Sequence, residues 1–488
     1  MNVTASDDVE VVTSEGGAVP AGHKVAVRPV RAGSPVRKFG HVIGYATADI
    51  AVGEHVHSHN LAFGDHTGEP AAADAAPAWT DGLPTGVPTT FRGIRRPDGR
   101  VATRNVIAVA STVNCSATVC QRIASTIERA GLLDAWDGVD AVVPITHTTG
   151  CGLAVEGPDM DQLRRTLAGY AGHVNVAGLV VVALGCEMNQ ISAFLDAADL
   201  PAHLPVERLA IQEVGGTRAT VEAGVAAVER LAAAIGPVER EDIGVDELVL
   251  GLNCGGSDGW SSLTANPALG VASDLLVAHG GTSVLAETPE IYGAEDLLLG
   301  RAEPATADRL RAIIARWERE IAAAGETLDN NPSPGNKAGG ITTILEKSLG
   351  AVSKAGHAPL AAVYEYAQRI DTPGLGFMDT PGYDPVSVTG LIAGGANVVV
   401  FTTGRGSALG SQLVPVIKVA TNTPLFERMR DDMDLNAGDV VDAGVPLADK
   451  GRELYELIVA TASGRRTASE ELGYGSQEFI PWMKGPTY

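Results

Sequence analysis

The feature that most restricts the fold is a pattern repeated along the middle of the chain: an apolar run, a short turn, then an alanine-rich stretch of helical character. NVIAVASTV leads into Asn114-Cys115, AVVPITHTTG into Cys151, GLVVVALG into Cys186 and ELVLGLN into Cys254. Short runs that are apolar without alternation are strands covered on both faces, as in a parallel sheet flanked by helices. Successive cysteines lie 36, 35 and 68 residues apart, and a βαβ unit needs about 30 residues or more. The longest gap holds one extra unit, RLAIQEVGG, without a cysteine. The pattern predicts one parallel sheet with Cys115, Cys151, Cys186 and Cys254 at the carboxyl ends of its strands, the edge where open α/β sheets hold their ligands.

A chain of 488 residues exceeds what one core organises, and length alone predicts about three domains. Residues 20–63 read as short strands (GHKVAVRPV, FGHVIGYAT, ADIAVGEHVHSHNLAF), so residues 1–63 form a small β domain. Pro, Gly, Ala and acids dominate 64–89, which reads as a linker. An α/β domain with the strand-end cysteines is expected over 90–328, including GTSVLAETPE with Glu287 and Glu290, and a C-terminal α/β domain over 329–488. Pro332, Pro334 and the glycines 335, 339 and 340 predict an irregular loop at the start of the last region.

Acidic residues outnumber basic ones by 59 to 36, giving −23 at neutral pH, which disfavours nucleic acid and anionic membranes as partners. An anionic small molecule stays compatible, because local cations or a metal can reverse the potential in a pocket. The acidic start lacks the features of a signal peptide, and the longest apolar run is far short of the ~20 residues of a membrane span. The expectation is a cytoplasmic protein whose five cysteines are reduced thiols.

Several clusters could carry chemistry. In GEHVHSHN, strand alternation puts His55, His57 and His59 on one face, either as an exposed polar face or as a metal or carboxylate site; His23 and Lys24 could join them. The four strand-end cysteines are small buried hydrophobes or ligands for iron or zinc, whereas Cys120 falls within a helix as inert core. CGGSDGWSSLTANP offers Ser257, Asp258, Thr264 and Asn266, as a hydroxyl-binding pocket or simply a helix cap. NPSPGNKAGG carries Asn336 and Lys337 on a glycine hinge, suited to delivering a base or cation. TTGRGS puts Arg405 on a turn, suited to clamping a carboxylate. Asn60, Arg104, Asn105 and His147 complete the substrate-binding candidates.

Together the motifs GHKVAV, VGEHVHSHN, HTTGCG, LGCEMNQ, NCGGSDGWSSLTANP, NPSPGNKAGGITTILEKSLG and FTTGRGS resemble the altronate and galactarate dehydratase family of sugar-acid dehydratases, and more distantly sulfolactate sulfo-lyase. The resemblance implies an α/β fold in which a small N-terminal β-clip (SAF-like) domain and a linker precede a catalytic part with parallel sheets in two regions. It implies loss of water from an aldonate or aldarate, altronate-like favoured, to give a 2-keto-3-deoxy acid. It also implies iron, as Fe2+, or another divalent metal, and the strand-end cysteines leave an iron–sulfur cluster open as the form of that iron. A homo-oligomer, as a dimer, is expected. Such a reaction needs a base, a Lewis acid and a proton donor, and His23, His57, His59, Lys24 and Lys337 stay open as candidates for proton transfer. A sugar-acid receptor without catalysis and a nicotinamide dehydrogenase are the competing readings; the cysteine and histidine sets disfavour the first, and the lack of G-x-G-x-x-G after the first strand disfavours the second.

Overall fold

The computed structural model describes residues 6–14, 16–64 and 78–484, so half of the expected linker, residues 65–77, lies outside the described residues. The small domain is a pair of three-stranded antiparallel sheets. One joins Val9–Val11, Lys24–Ala26 and His55–Val56; the other joins Pro35–Lys38, His41–Ala46 and Leu61–Ala62. Their inward residues, among them Val36, Ile43 and Val56, enclose one small core.

The first α/β unit holds a four-stranded parallel sheet in the order Ala141–Ile145, Val106–Ser111, Val176–Ala183, Val206–Ala210. Alternate residues of its central strands serve different layers. Ile107 and Val109 pack with Ile123, Ile127 and Val228 of the helices Asn114–Arg129 and Thr217–Ile235. Ala108 and Ala110 face a core shared with Leu391 and Ile392 of the helix Asp384–Gly394, which belongs to the next unit. The two halves therefore share a hydrophobic layer. Cys120 is buried within Asn114–Arg129, as expected, and burial pushes its thiol pKa up.

The second unit is a seven-stranded parallel sheet in the order Leu360–Tyr364, Gly374–Met378, Thr282–Leu285, Val249–Cys254, Val398–Thr403, Val416–Ala420, Leu435–Asn436. The chain builds outward on one side of Val249–Cys254 and then returns to build on the other, so the strand order reverses beside Cys254. Open sheets bind ligands at such a reversal.

Two expectations need correction. The four cysteine-bearing strands do not share a sheet: Cys115, Cys151 and Cys186 follow strands of the four-stranded sheet, and Cys254 ends a strand of the seven-stranded one. Between them Glu241–Gly244 pairs antiparallel with Thr90–Arg95 in a separate three-stranded sheet, and ELVLGLN then opens the seven-stranded one. In addition, Pro334–Ala338 is helical despite its prolines, because Pro334 sits at the helix start, where no amide hydrogen is needed, and Ser333 and Asn336 form a capping box. The seven strands also come from both sides of residue 328, where composition had suggested a boundary.

No helix of the described residues is long and apolar enough to cross a membrane. Two buried histidines make the fold sensitive to acid. His147 Nε2 lies 3.1 Å from the Ser111 carbonyl, and His173 Nε2 lies 3.1 Å from that of Ala396; burial pushes both imidazoles down to about 4. Their folded pKa values are depressed, so the stability they contribute is present above about 6.5 and is lost as pH falls towards 4. At order of magnitude each is worth about 3 kcal/mol. We expect the melting temperature to drop between pH 7 and pH 5, and the drop to be shallower in His173→Asn; an unchanged slope would reject this source.

Candidate active site

Cys254, at the reversal point, receives two carboxylates from the neighbouring strand. Past Thr282–Leu285 the chain turns through Glu287 at φ +72°, a left-handed conformation that is strained for a residue with a side chain, and Glu290 follows within one tight turn. The Glu287 amide donates to Thr380 Oγ1 at 2.8 Å, which helps hold that turn. The Cys254 amide donates to Glu287 Oε2 at 3.1 Å, and its Sγ lies 3.3 Å from Glu290 Oε2. Gly255 leaves room for Asp384 at the start of its helix: a Cβ there would lie 2.1 Å from Asp384 Oδ2.

Two lysines come from one side. Lys347, on the helix Ile344–Val352, donates to Glu290 Oε1 at 2.6 Å and to Asn331 Oδ1 at 2.7 Å. Lys354, one turn beyond that helix, donates to Cys254 Sγ at 2.8 Å and Glu287 Oε2 at 3.0 Å. All five side chains, Cys254, Glu287, Glu290, Lys347 and Lys354, are buried.

Three acids and a thiol share two ammonium groups in a dry setting, and the proton affinities show the imbalance. Burial and then Glu290 push the Glu287 carboxyl up to about 8, and burial and then Glu290 push Asp384 up to about 7. Glu290 moves the other way in spite of burial, because Lys347 and Lys354 hold its charged form. Burial raises the Cys254 thiol. Glu287 Oε1 is buried without a hydrogen-bond partner, an unmet demand that a cation would satisfy. Cys254 Sγ and one oxygen each of Glu287 and Glu290 lie within 4.8 Å of one another. This mixed soft and hard donor set can hold a metal.

The small domain meets this site from above. A Cβ on Gly259 would lie 1.9 Å from the Gly22 carbonyl oxygen, and one on Gly340 would lie 2.5 Å from it, so the two halves touch backbone to backbone there. Lys24 Nζ donates to Glu346 Oε2 at 2.8 Å and to the Gly340 carbonyl at 2.6 Å, and Lys38 Nζ to Glu346 Oε1 at 2.9 Å. Glu346 and Lys347 are thus adjacent in sequence but serve opposite partners. A small, partly open pocket lined by Lys38, Ser257, Asp258, Ser262, Glu346 and Lys347 lies beside them.

The strand around His55 ends at Val56, and His57 and His59 lie on the following turn. The rings still gather. His23 lies 5.1 Å from His55 and 5.2 Å from His57 between ring centres, and His55 lies 5.5 Å from His59. His57 Nε2 is 2.8 Å from the Lys337 carbonyl, and His23 Nε2 is 3.3 Å from that of Ala338. Asn336 donates to the Ser257 carbonyl at 2.8 Å. The Asn331–Gly340 segment therefore joins the carboxylate cluster at one end to the histidines at the other.

Other residues chosen from the sequence are tied into hydrogen bonds of the fold. Arg104 is forked onto Glu470 at 2.6 and 2.9 Å, and Asn105 binds Arg96 and Asp140, both at the amino edge of the four-stranded sheet. Asn60 ties its own loop through the His57 amide and the His55 carbonyl. Asp258 accepts from Ser261, Thr421 and Asn422, Thr264 donates to the Thr421 carbonyl, and Asn266 links Gly350 to Thr402. Arg405 is exposed, with its amide bonded to the Gly256 carbonyl at 2.8 Å. Cys115, Cys151 and Cys186 are exposed. Sequence reasoning missed Lys347, Lys354, Asn331 and Asp384, and left Glu287 and Glu290 without a role. Two lysines seven residues apart in ILEKSLGAVSKA were the available signal, since that spacing returns to one helix face.

Ionisable pairs whose proton affinities are driven apart, at the strand ends of an α/β sheet, define an acid–base enzyme. Comparison with known proteins identifies which kind. Family models for an altronate/galactarate dehydratase SAF domain, a D-galactarate dehydratase/altronate hydrolase second domain and a D-galactarate/altronate dehydratase C-terminal domain match residues 2–64, 93–236 and 245–487. The chain is 34% identical to altronate dehydratase of Bacillus subtilis over 455 residues, covering 93% of this chain and 89% of that one. It is 36% identical to galactarate dehydratase (L-threo-forming) of Escherichia coli over 475 residues, 94% and 89% of the two chains. It is 31% identical to the beta subunit of (2R)-sulfolactate sulfo-lyase of Chromohalobacter salexigens over 395 residues, 80% and 96% of the two. The chain belongs to the altronate/galactarate dehydratase family of hydro-lyases.

Proposed function

We propose that this enzyme removes water from a sugar acid, an altronate-like aldonate in preference to an aldarate, to give a 2-keto-3-deoxy acid in the cytoplasm. The observation that carries the reading is the buried Cys254, Glu287, Glu290, Lys347 and Lys354 cluster at the sheet's reversal point, in a chain with altronate and galactarate dehydratases as relatives.

Dehydration needs the weakly acidic proton beside the carboxylate removed and a poor leaving group, the 3-hydroxyl, expelled. Cys254, Glu287 and Glu290 would hold a divalent cation, with iron favoured by the thiolate in the set, and it would act as a Lewis acid towards the substrate's oxygens. Lys347 and Lys354 fix the carboxylates and keep the pocket receptive to an anion. His57, whose imidazole is kept neutral chiefly by burial, is the base that takes the proton at carbon 2, with His59 and Lys337 beside it. Asp384, poised near neutrality, donates the proton with which the 3-hydroxyl departs as water. Lys24 is committed to Glu346 and holds the domains together instead.

Incubating anaerobically prepared enzyme with a panel of aldonates and aldarates, and measuring 2-keto-3-deoxy acid, tests the assignment. Altronate should be the best substrate. Galactarate as the best would move the preference, and no product from any sugar acid would end the reading. Chelation should abolish turnover and ferrous iron under reducing conditions should restore it; full activity in metal-free enzyme would remove the metal.

A further inference from the structure

The cysteines of the four-stranded sheet are not part of the site just described, yet they share one sheet edge. Cys115, Cys151 and Cys186 each follow a strand, and these three strands are adjacent, with Val106–Ser111 in the middle. The immediate chain neighbours of each cysteine are bonded to another cysteine's loop. The Asn114 amide donates to the Thr149 carbonyl at 2.9 Å, and Ser116 Oγ to the Val182 carbonyl at 2.7 Å. The Asn189 amide donates to the Gly150 carbonyl at 3.2 Å, and Thr112 Oγ1 to Glu187 Oε1 at 2.6 Å. A Cβ on Gly150 would lie 2.3 Å from the Thr112 carbonyl oxygen, so the Cys151 loop lies directly on the Cys115 turn.

The supporting residues Thr112, Ser116, Glu187 and Asn189 are all buried, whereas the three thiols are exposed. A buried, hydrogen-bonded floor thus lies beneath three exposed soft ligands. A floor of buried polar residues is more than three surface thiols need, and it is what a bound group held by them requires.

We propose that Cys115, Cys151 and Cys186 ligate a [4Fe–4S] cluster through three deprotonated thiols, separate from the Cys254 site, leaving one iron without a protein thiolate. A single tetrahedral ion would need sulfurs under about 4 Å apart, given metal–sulfur bonds of about 2.3 Å. Among the described residues the one group of three with ligand atoms within 4.8 Å is Cys254, Glu287 and Glu290, so the three exposed thiols are spread more widely than one ion allows. A cluster, whose cysteines bind different irons, suits that wider spread. No fourth cysteine is available: Cys120 is buried within the helix Asn114–Arg129, and Cys254 is buried in the other sheet. The open iron therefore takes an oxygen ligand from solvent or from a small hydroxy acid.

The test is anaerobic reconstitution of the full chain with ferrous iron, sulfide and a thiol reductant, followed by assay of iron and acid-labile sulfide and by electron paramagnetic resonance of the reduced sample. About four sulfides per chain and a broad absorption near the blue edge of the visible are expected. Cys115→Ser, Cys151→Ser and Cys186→Ser should each lose them, while Cys120→Ser and Cys254→Ser keep them. Wild-type protein with no labile sulfide, or with zinc alone, overturns the proposal whatever the variants do; so does a cluster that survives all three substitutions. Dehydratase activity is not the readout, so this outcome is independent of the function proposed above.

Discussion

Replacing Glu290 with Leu should destabilise the protein by about 3–5 kcal/mol, the cost of leaving Lys347 buried without its carboxylate. Activity should fall by about a hundredfold or more, since the same residue closes the donor set around Cys254. The two losses have different causes and can be separated. In the double variant Glu290→Leu with Lys347→Met the buried charges go together, so apolar side chains of similar volume should restore much of the stability. Activity should stay lost. Urea unfolding and product assay on the same samples check this. A double variant that regains turnover would show the pair to be scaffolding.

Glu346→Leu should have an effect of similar size by another route. It strands two cations, Lys24 and Lys38, where the small domain meets the body. Losing one partner of such a triad costs several kcal/mol, and here that cost falls on docking. Hydrogen exchange should rise across residues 20–62 while the two parallel sheets stay protected. The rate at low substrate should drop by more than tenfold, because the histidines lose their register with the Lys337 segment. If exchange rises evenly through the whole protein, Glu346 supports the body and not the docking.

Much of the fold was legible because one-period signals are local. The apolar runs ending at Ser111, Ile145, Ala183 and Cys254 are strands where the pattern put them. What was hidden is which strands share a sheet. The 68-residue gap before Cys254 looked like two more units of one sheet, and a four-residue antiparallel strand, Glu241–Gly244, is too short and too polar to announce a new one. The site divides in the same way. Cys254 was visible as a reactive residue type at a strand end, but Lys354 lies 100 residues away from it, and no period connects them. The histidines gather as expected, although the alternation that suggested it covers only His55.

The contact between Lys24 and Glu346 spans 322 residues of chain, and that between Lys38 and Glu346 spans 308. Contacts so remote in sequence pay their loop-closure entropy before they return any energy, so docking of the small domain is expected to follow formation of the two sheets. Maturation then has an order: secondary structure first, the histidine face last. Refolding followed by far-ultraviolet circular dichroism should recover ahead of enzymatic turnover, and a chain that regained both together would have docked its first sixty residues early.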